Sequence, residues 1–203
     1  MKLYQDNRAP NPRRVRIFLA EKGIRIPVED IDLVKGEHKT ERFSRLNPMQ
    51  RIPVLELDDG TVIAESMAIC RYFEAVQPDP PLFGVSPAEQ AVIEMWQRRV
   101  ERRLLDPVSQ CFRHGHPAMS VAQVPQIKEW SVYNKERAVD MLRFLNGYMD
   151  GRAHVAGDRM SVADITLLVA LDFLKAARLA LQPEHAALRR WHAEMSARPS
   201  ATA

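Results

Sequence analysis

The residues best suited to chemistry lie in three short stretches in the first half of this 203-residue chain. The first is Asn47-Pro48-Met49-Gln50-Arg51-Ile52-Pro53-Val54, where a proline leads directly into a strand-like apolar run. An X-Pro bond in such a place can be cis. A cis Pro53 would turn the Ile52 backbone outward, so that its N–H and C=O pair with a peptide-like ligand lying alongside as an added strand. The alternative is an ordinary loop proline. The second stretch is Ala64-Glu65-Ser66-Met67-Ala68-Ile69, where a strand gives way abruptly to a helix. A helix N-terminus attracts carboxylates, and Glu65 beside it could pair with an α-ammonium, so the two together suit the zwitterionic end of an amino acid. A simple serine cap next to an acid is the plainer reading. The third is Asn11, at the opening of the first helix. A thiol placed there would lose its proton more easily. The Asn11 amide could donate to the thiolate, or the residue could only cap the helix.

The chain's own cysteines do not suggest thiol chemistry. Cys70 and Cys111 are far apart, and the chain contains no Cys-x-x-Cys pair. No metal-ligand spacing occurs; His114-Gly115-His116 ahead of Pro117 offers only two histidines. The formal charge is +3 with basic and acidic residues interleaved, which argues against a nucleic-acid partner. The first residues contain no apolar core of a signal peptide, and no run approaches the roughly 20 apolar residues that span a bilayer. Two unpaired thiols suit a reducing compartment, so the expectation is a soluble cytoplasmic protein.

The elements that must position these stretches follow an order β-α-β-α-β-β-α. Residues 2–4 can open a strand. Asn11 and Pro12 read as the cap and first position of a helix that buries Val15, Phe18 and Leu19 and stops at Gly23, with Ile24 folding back on Leu19. Residues 27–33 alternate as a strand, and a polar segment occupies 34–46. Residues 54–57 and 61–64 form a hairpin about Asp58-Asp59-Gly60, whose Asp-Gly pair suggests a type I′ turn. A helix begins at Ser66. Pro78, Pro80, Pro81 and Pro87 mark residues 78–86 as a linker between a domain at 1–77 and an all-helical domain at 87–203. In the second domain, helical spacing covers 87–114, 124–149, 162–181 and 184–198. Ser161-Val162-Ala163-Asp164 is a capping-box start, with Met160 and Ile165 as a hydrophobic staple.

In their order and spacing these pieces resemble a bacterial cytosolic glutathione S-transferase of theta-like or related class, over nearly the whole chain. The resemblance is carried by Ala9 to Gly23, Gly36-Glu37-His38, Asn47 to Leu55, Asp59 to Ser66 running into Ala68-Ile69-Cys70-Arg71-Tyr72, and Ala156-Gly157-Asp158 through Ser161 to Ile165. It implies an α/β thioredoxin-like N-terminal domain, an all-α C-terminal bundle and a homodimer. It also implies a transferase of detoxification type with glutathione as cosubstrate and no metal, no nucleic acid and no membrane partner. By the same resemblance, Ile52 and cis Pro53 hold the cysteinyl part, Glu65 and Ser66 the γ-glutamyl end, and His38 and Arg51 the glycyl carboxylate. The electrophile pocket would lie between the first helix of the second domain and the N-terminal domain, with Trp96, Arg99, Arg103 and Phe112 as candidates by position. The sequence departs from the family at Ala9, where many members carry a serine or threonine that donates to the thiolate. Asn11 matches a residue that assists the thiolate in some bacterial members. A non-catalytic glutathione-binding or regulatory protein is one alternative; a glutathione-dependent disulfide or peroxide reductase or an isomerase is another.

Overall fold

The computed structural model describes residues 1–203. The chain forms two compact units, Met1–Leu82 with Thr202–Ala203, and Phe83–Ala201.

The first unit is a thioredoxin-like layer of four strands with helices. Strands β1 (Lys2–Gln5), β2 (Val28–Asp30), β3 (Val54–Glu56) and β4 (Val62–Ala64) lie in the order β2-β1-β3-β4. The β1–β2 pair is parallel and the other two are antiparallel. Helices α1 (Pro10–Glu21), α2 (Glu41–Leu46) and α3 (Ser66–Val76) complete the unit. Leu3, Val54 and Leu55 from the sheet and Val15, Ile17, Phe18, Ile69 and Phe73 from the helices are essentially excluded from water. Burying each such side chain stabilises the unit by about 1.5–3 kcal/mol relative to exposure. Helix α1 ends as its sequence predicts: Gly23 has φ +66° and the Ile24 N–H donates to the Leu19 carbonyl at 2.9 Å.

Two local expectations are corrected. Helix α1 starts at Pro10 with Ala9 as its N-cap, so Asn11 is the second helical residue and caps nothing. Pro10 and Pro12 are both tolerated in a first turn, and the choice between them is tertiary: Ala9 packs against the cluster of Tyr4, Ile31, Phe43, Ile52 and Val54. The β3–β4 turn is not type I′, which needs positive φ at both central residues. Only Gly60 has one, +84°, and the Leu57 N–H donates to the Thr61 carbonyl, which gives a three-residue loop.

The second unit is all-helical. Helix α4 (Pro87–Val100) runs through a π-type segment, Glu101–Leu105, into α5 (Asp106–Gly115), and α6 (Lys128–Tyr148), α7 (Val162–Phe173) and α8 (Ala186–Ser196) follow. Every residue from Val162 to Leu171 is buried, so α7 is the central helix. Asp164 fixes its start by accepting from the Val155 N–H (2.8 Å), the Ser161 N–H (2.9 Å) and the Ser161 hydroxyl (2.8 Å). The pattern predicted at 162–181 ends earlier, at Phe173; a short 3₁₀ turn follows and Arg178 takes φ +55°. No helix is long and apolar enough to cross a membrane.

Candidate active site

Strand register brings the three chemical stretches to one end of the sheet. Val54 pairs with Tyr4 on one side and Ala64 on the other. Ile52 and Pro53, just before Val54, therefore lie beside Glu65 and Ser66, just past Ala64. On the other side they lie beside the loop that leaves β1 for α1. Strand β2 runs parallel to β1 and delivers Ile31 to His38 to the same end. Helices α1 and α3 both begin there, so two sets of N-terminal amide dipoles meet at this edge.

The Ile52–Pro53 bond is cis. Ile52 is buried at its side chain, while its N–H and C=O take no part in the hydrogen bonds of the surrounding loop. Asn47 builds that loop. Its Nδ2 donates to the Arg51 carbonyl at 2.8 Å and its Oδ1 accepts from the Met49 N–H at 3.1 Å. The resulting bend places Gln50 at φ +53°.

Glu65 caps α3 with φ +70° and ψ +119°. A non-glycine residue held there costs about 1–3 kcal/mol, and such strain collects at binding sites. Its side chain makes no capping bond and is exposed. Ser66 is the first helical residue and is 3% exposed. A carboxylate thus stands one backbone step from a hydroxyl at a helix N-terminus, a pairing with the chemistry to receive an ammonium and a carboxylate.

The start of α1 is unusually poor in donors. Helix N-termini normally present several free N–H groups. Here Pro10 and Pro12 have none, the Ala9 N–H donates to the Asp6 carbonyl (3.0 Å), and the Arg13 N–H donates to the Ala9 carbonyl (3.3 Å). The donors left over are the Asn11 N–H and the Asn11 Nδ2, whose partner oxygen Oδ1 accepts from Arg14 at 2.8 Å. Asp6, nearly buried, ties this loop down by accepting from the Arg8 N–H (2.9 Å), the Arg8 guanidinium (2.6 Å) and the Leu33 N–H (3.3 Å). The Arg8 hydrogen bonds, against the opposing effect of burial, hold its carboxyl below the usual range.

His38 sits in a short turn after Gly36 and is 8% exposed, with no hydrogen-bond partner at Nδ1. Burial, with Lys39 and Arg51 adding to it, lowers its pKa. The Arg51 charge thus acts on His38, and the pair brings a neutral imidazole and a guanidinium to one region. An unpartnered buried ring nitrogen is a group that a ligand can satisfy.

The chain's own side chains are poor sources of a reactive anion. Tyr4 donates to Glu56 at 2.6 Å, and this bond together with burial raises its pKa to about 12. Burial raises the Cys70 thiol to about 12, outweighing the opposing pull of Arg14. Cys111 is buried with its sulfur 3.7 Å from the Ala177 carbonyl. A reacting sulfur has to arrive with the ligand.

In the helical unit, Arg99 and Arg103 line a cavity of about 470 Å³ with Arg137, Asp140, Met141 and Phe144. Trp96 is buried behind it. Its ring lies 4.0 Å from Tyr148 and 6.3 Å from Phe144, under the Arg99 guanidinium at 4.9 Å. Phe112 is not in this cavity wall; it packs edge-on against Phe173 at 5.5 Å and near His116 at 5.2 Å. Two residues that shape the first site went unnoticed in sequence, Asp6 and Arg14, while Asn47 was read only as the start of its stretch and not as the residue that bridges it. Only Asn47, in an Asn-Pro turn, carried a local signal.

A four-stranded mixed sheet with a cis proline leading into the inner strand β3, followed by a helical unit, defines a thioredoxin-like domain joined to an all-helical one. Family models for the glutathione S-transferase N-terminal domain and C-terminal domain match residues 9–76 and 105–199. The chain belongs to the glutathione S-transferase family. It is 41% identical over 203 residues to glutathione S-transferase 2 of Saccharomyces cerevisiae, an alignment covering 98% of this chain and 87% of that protein. The crystal structure of Gtt2 from the same yeast superposes with a TM-score of 0.95 at 40% identity, covering 100% of this chain and 99% of the other. A glutathione S-transferase domain-containing protein of Marinobacter aquaeolei gives 0.95 at 39% identity over 98% and 99%.

Proposed function

We propose that the protein is a glutathione transferase in which glutathione binds along Ile52 as an added strand and its thiolate attacks a small electrophilic carbon. The γ-glutamyl carboxylate meets the Ser66 hydroxyl and the start of α3, and the γ-glutamyl ammonium meets Glu65. The glycyl carboxylate lies toward His38 and Arg51. Asn11, through Nδ2 and its own N–H, stabilises the thiolate where Ala9 lacks a hydroxyl. Both Asn11 donors favour the anion over the thiol, so more of the nucleophile is present at neutral pH before the electrophile arrives. The observation that carries this reading is the donor inventory at α1: after two prolines and two internal bonds, Asn11 holds the donors that remain.

The arginine-lined cavity of the helical unit, with Arg99, Arg103 and Trp96, is the candidate for ligand contacts there, and Phe112 is a secondary candidate. A homodimer in the cytoplasm that detoxifies electrophiles completes the reading, supported by family membership. The test combines glutathione titration by calorimetry with turnover on an activated aryl halide and a hydroperoxide. Saturable binding with conjugation supports the proposal. Binding with no turnover on either substrate would leave a ligand-binding protein, and reduction without conjugation would make it a glutathione-dependent reductase.

A further inference from the structure

We propose that Arg14 is a positioning residue for this reaction: by donating to the Asn11 carbonyl oxygen, it fixes which end of the Asn11 carboxamide faces the thiol. The inference rests on the assignment of Asn11 above. Arg14 is only 3% exposed, in a helix face otherwise made of Pro12, Val15, Ile17, Phe18 and Leu19. Burying a guanidinium is costly unless its donors are used. One of them, an Arg14 terminal NH₂, reaches Asn11 Oδ1 at 2.8 Å, one turn back along the helix.

The consequence follows from the two chemistries. A carboxamide has a donor end and an acceptor end, whereas a guanidinium only donates. With the oxygen on Arg14, the NH₂ is turned away from it, at the exposed start of α1. The flipped amide would set donor against donor and break this bond. It would also present an oxygen to a sulfur anion. An asparagine without Arg14 would sample both faces; with it, only the donating face meets the ligand. Because Asn11 is exposed, this bond adds little to the packing of the unit.

The test is the pKa of glutathione's thiol in the binary complex, read from ultraviolet thiolate absorbance against pH. The variants are Asn11→Ala, Asn11→Asp, Arg14→Lys, Arg14→Gln and the double variant Asn11→Ala/Arg14→Gln, with thermal midpoints measured in parallel. Arg14→Gln should raise the thiol pKa by about one unit, a tenfold loss of thiolate at fixed pH. Arg14→Lys, still a pure donor, should restore most of it. In the Asn11→Ala background, Arg14→Gln should add nothing. Asn11→Asp keeps a partner for Arg14 but offers the sulfur only acceptors, so its thiol pKa should rise at least as far as in Asn11→Ala. This last comparison holds even if Arg14→Gln does not fold. An Arg14→Gln shift that is absent, or that persists in the double variant, overturns the role of Arg14 while Asn11 stands. An Asn11→Asp thiol pKa below that of Asn11→Ala overturns it too. An unchanged thiol pKa in Asn11→Ala removes the Asn11 assignment itself.

Discussion

Ser66→Ala separates binding from folding more cleanly than any other change at the proposed site. Ser66 is 3% exposed at the first position of α3, and its hydroxyl neither caps the helix nor is needed by a neighbouring strand. Removing it costs the fold little, within about 0.5 kcal/mol, because no partner in the chain is orphaned. In the proposed complex the same hydroxyl would donate to the γ-glutamyl carboxylate, a bond worth about 1.5–3 kcal/mol. At 1.4 kcal/mol per factor of ten, the glutathione Kd should rise about ten- to a hundredfold. Binding should survive, since the backbone N–H of the helix start and Glu65 remain. Calorimetric titration of wild type and variant, with thermal midpoints on the same samples, gives both quantities. An unchanged Kd would refute the placement of the γ-glutamyl carboxylate. A large fall in midpoint would mean that the hydroxyl holds the fold.

Three further outcomes are expected. Glu65→Gly removes a side chain from a backbone held at φ +70°, so stability to denaturant should rise by about 1 kcal/mol while glutathione affinity falls; loss of stability would contradict the strain. Lys22 is fully buried, with its ammonium 2.7 Å from Glu74 and 2.7, 3.2 and 2.8 Å from the carbonyls of Gln77, Pro78 and Pro80. Lys22→Met should therefore destabilise the first unit by about 3–5 kcal/mol in urea unfolding, and a neutral result would show that water fills the gap. His38 has a pKa lowered by burial, so the unfolded chain takes up its proton at a higher pH than the folded one. Stability should thus be lost as pH falls through 6.5 toward the folded value. Denaturant midpoints from about pH 7.5 to about pH 5.5 should drop less in His38→Gln than in wild type, and parallel curves would show that His38 is not the group.

Local patterns made part of this protein readable before its structure. Gly23 and Ile24 closed α1, Ser161 and Asp164 opened α7, and the turn from strand into α3 at Glu65-Ser66 stood out because a polar pair follows an apolar run. Each of these signals lies within a few residues of what it specifies. The start of α1 misled for the opposite reason. Asn11-Pro12 is a better local cap than Ala9-Pro10, but Ala9 is selected by packing onto a cluster whose members Ile31, Phe43, Ile52 and Val54 come from distant parts of the chain. The fourfold ligation of Lys22 across some 55 residues and the bond from buried Arg14 to Asn11 were equally hidden, since a charged residue in a helix pattern reads by default as solvated. The positive φ of Glu65 had no signal at all, because a glutamate there runs against its own preference.

The structure of the glutathione complex bears most directly on the central claim. The account predicts the cysteinyl backbone paired with the Ile52 N–H and C=O, the γ-glutamyl group at Glu65 and Ser66, and the sulfur within about 3.5 Å of Asn11 Nδ2. Glutathione seated elsewhere, or seated here with its sulfur turned away from α1, would contradict it.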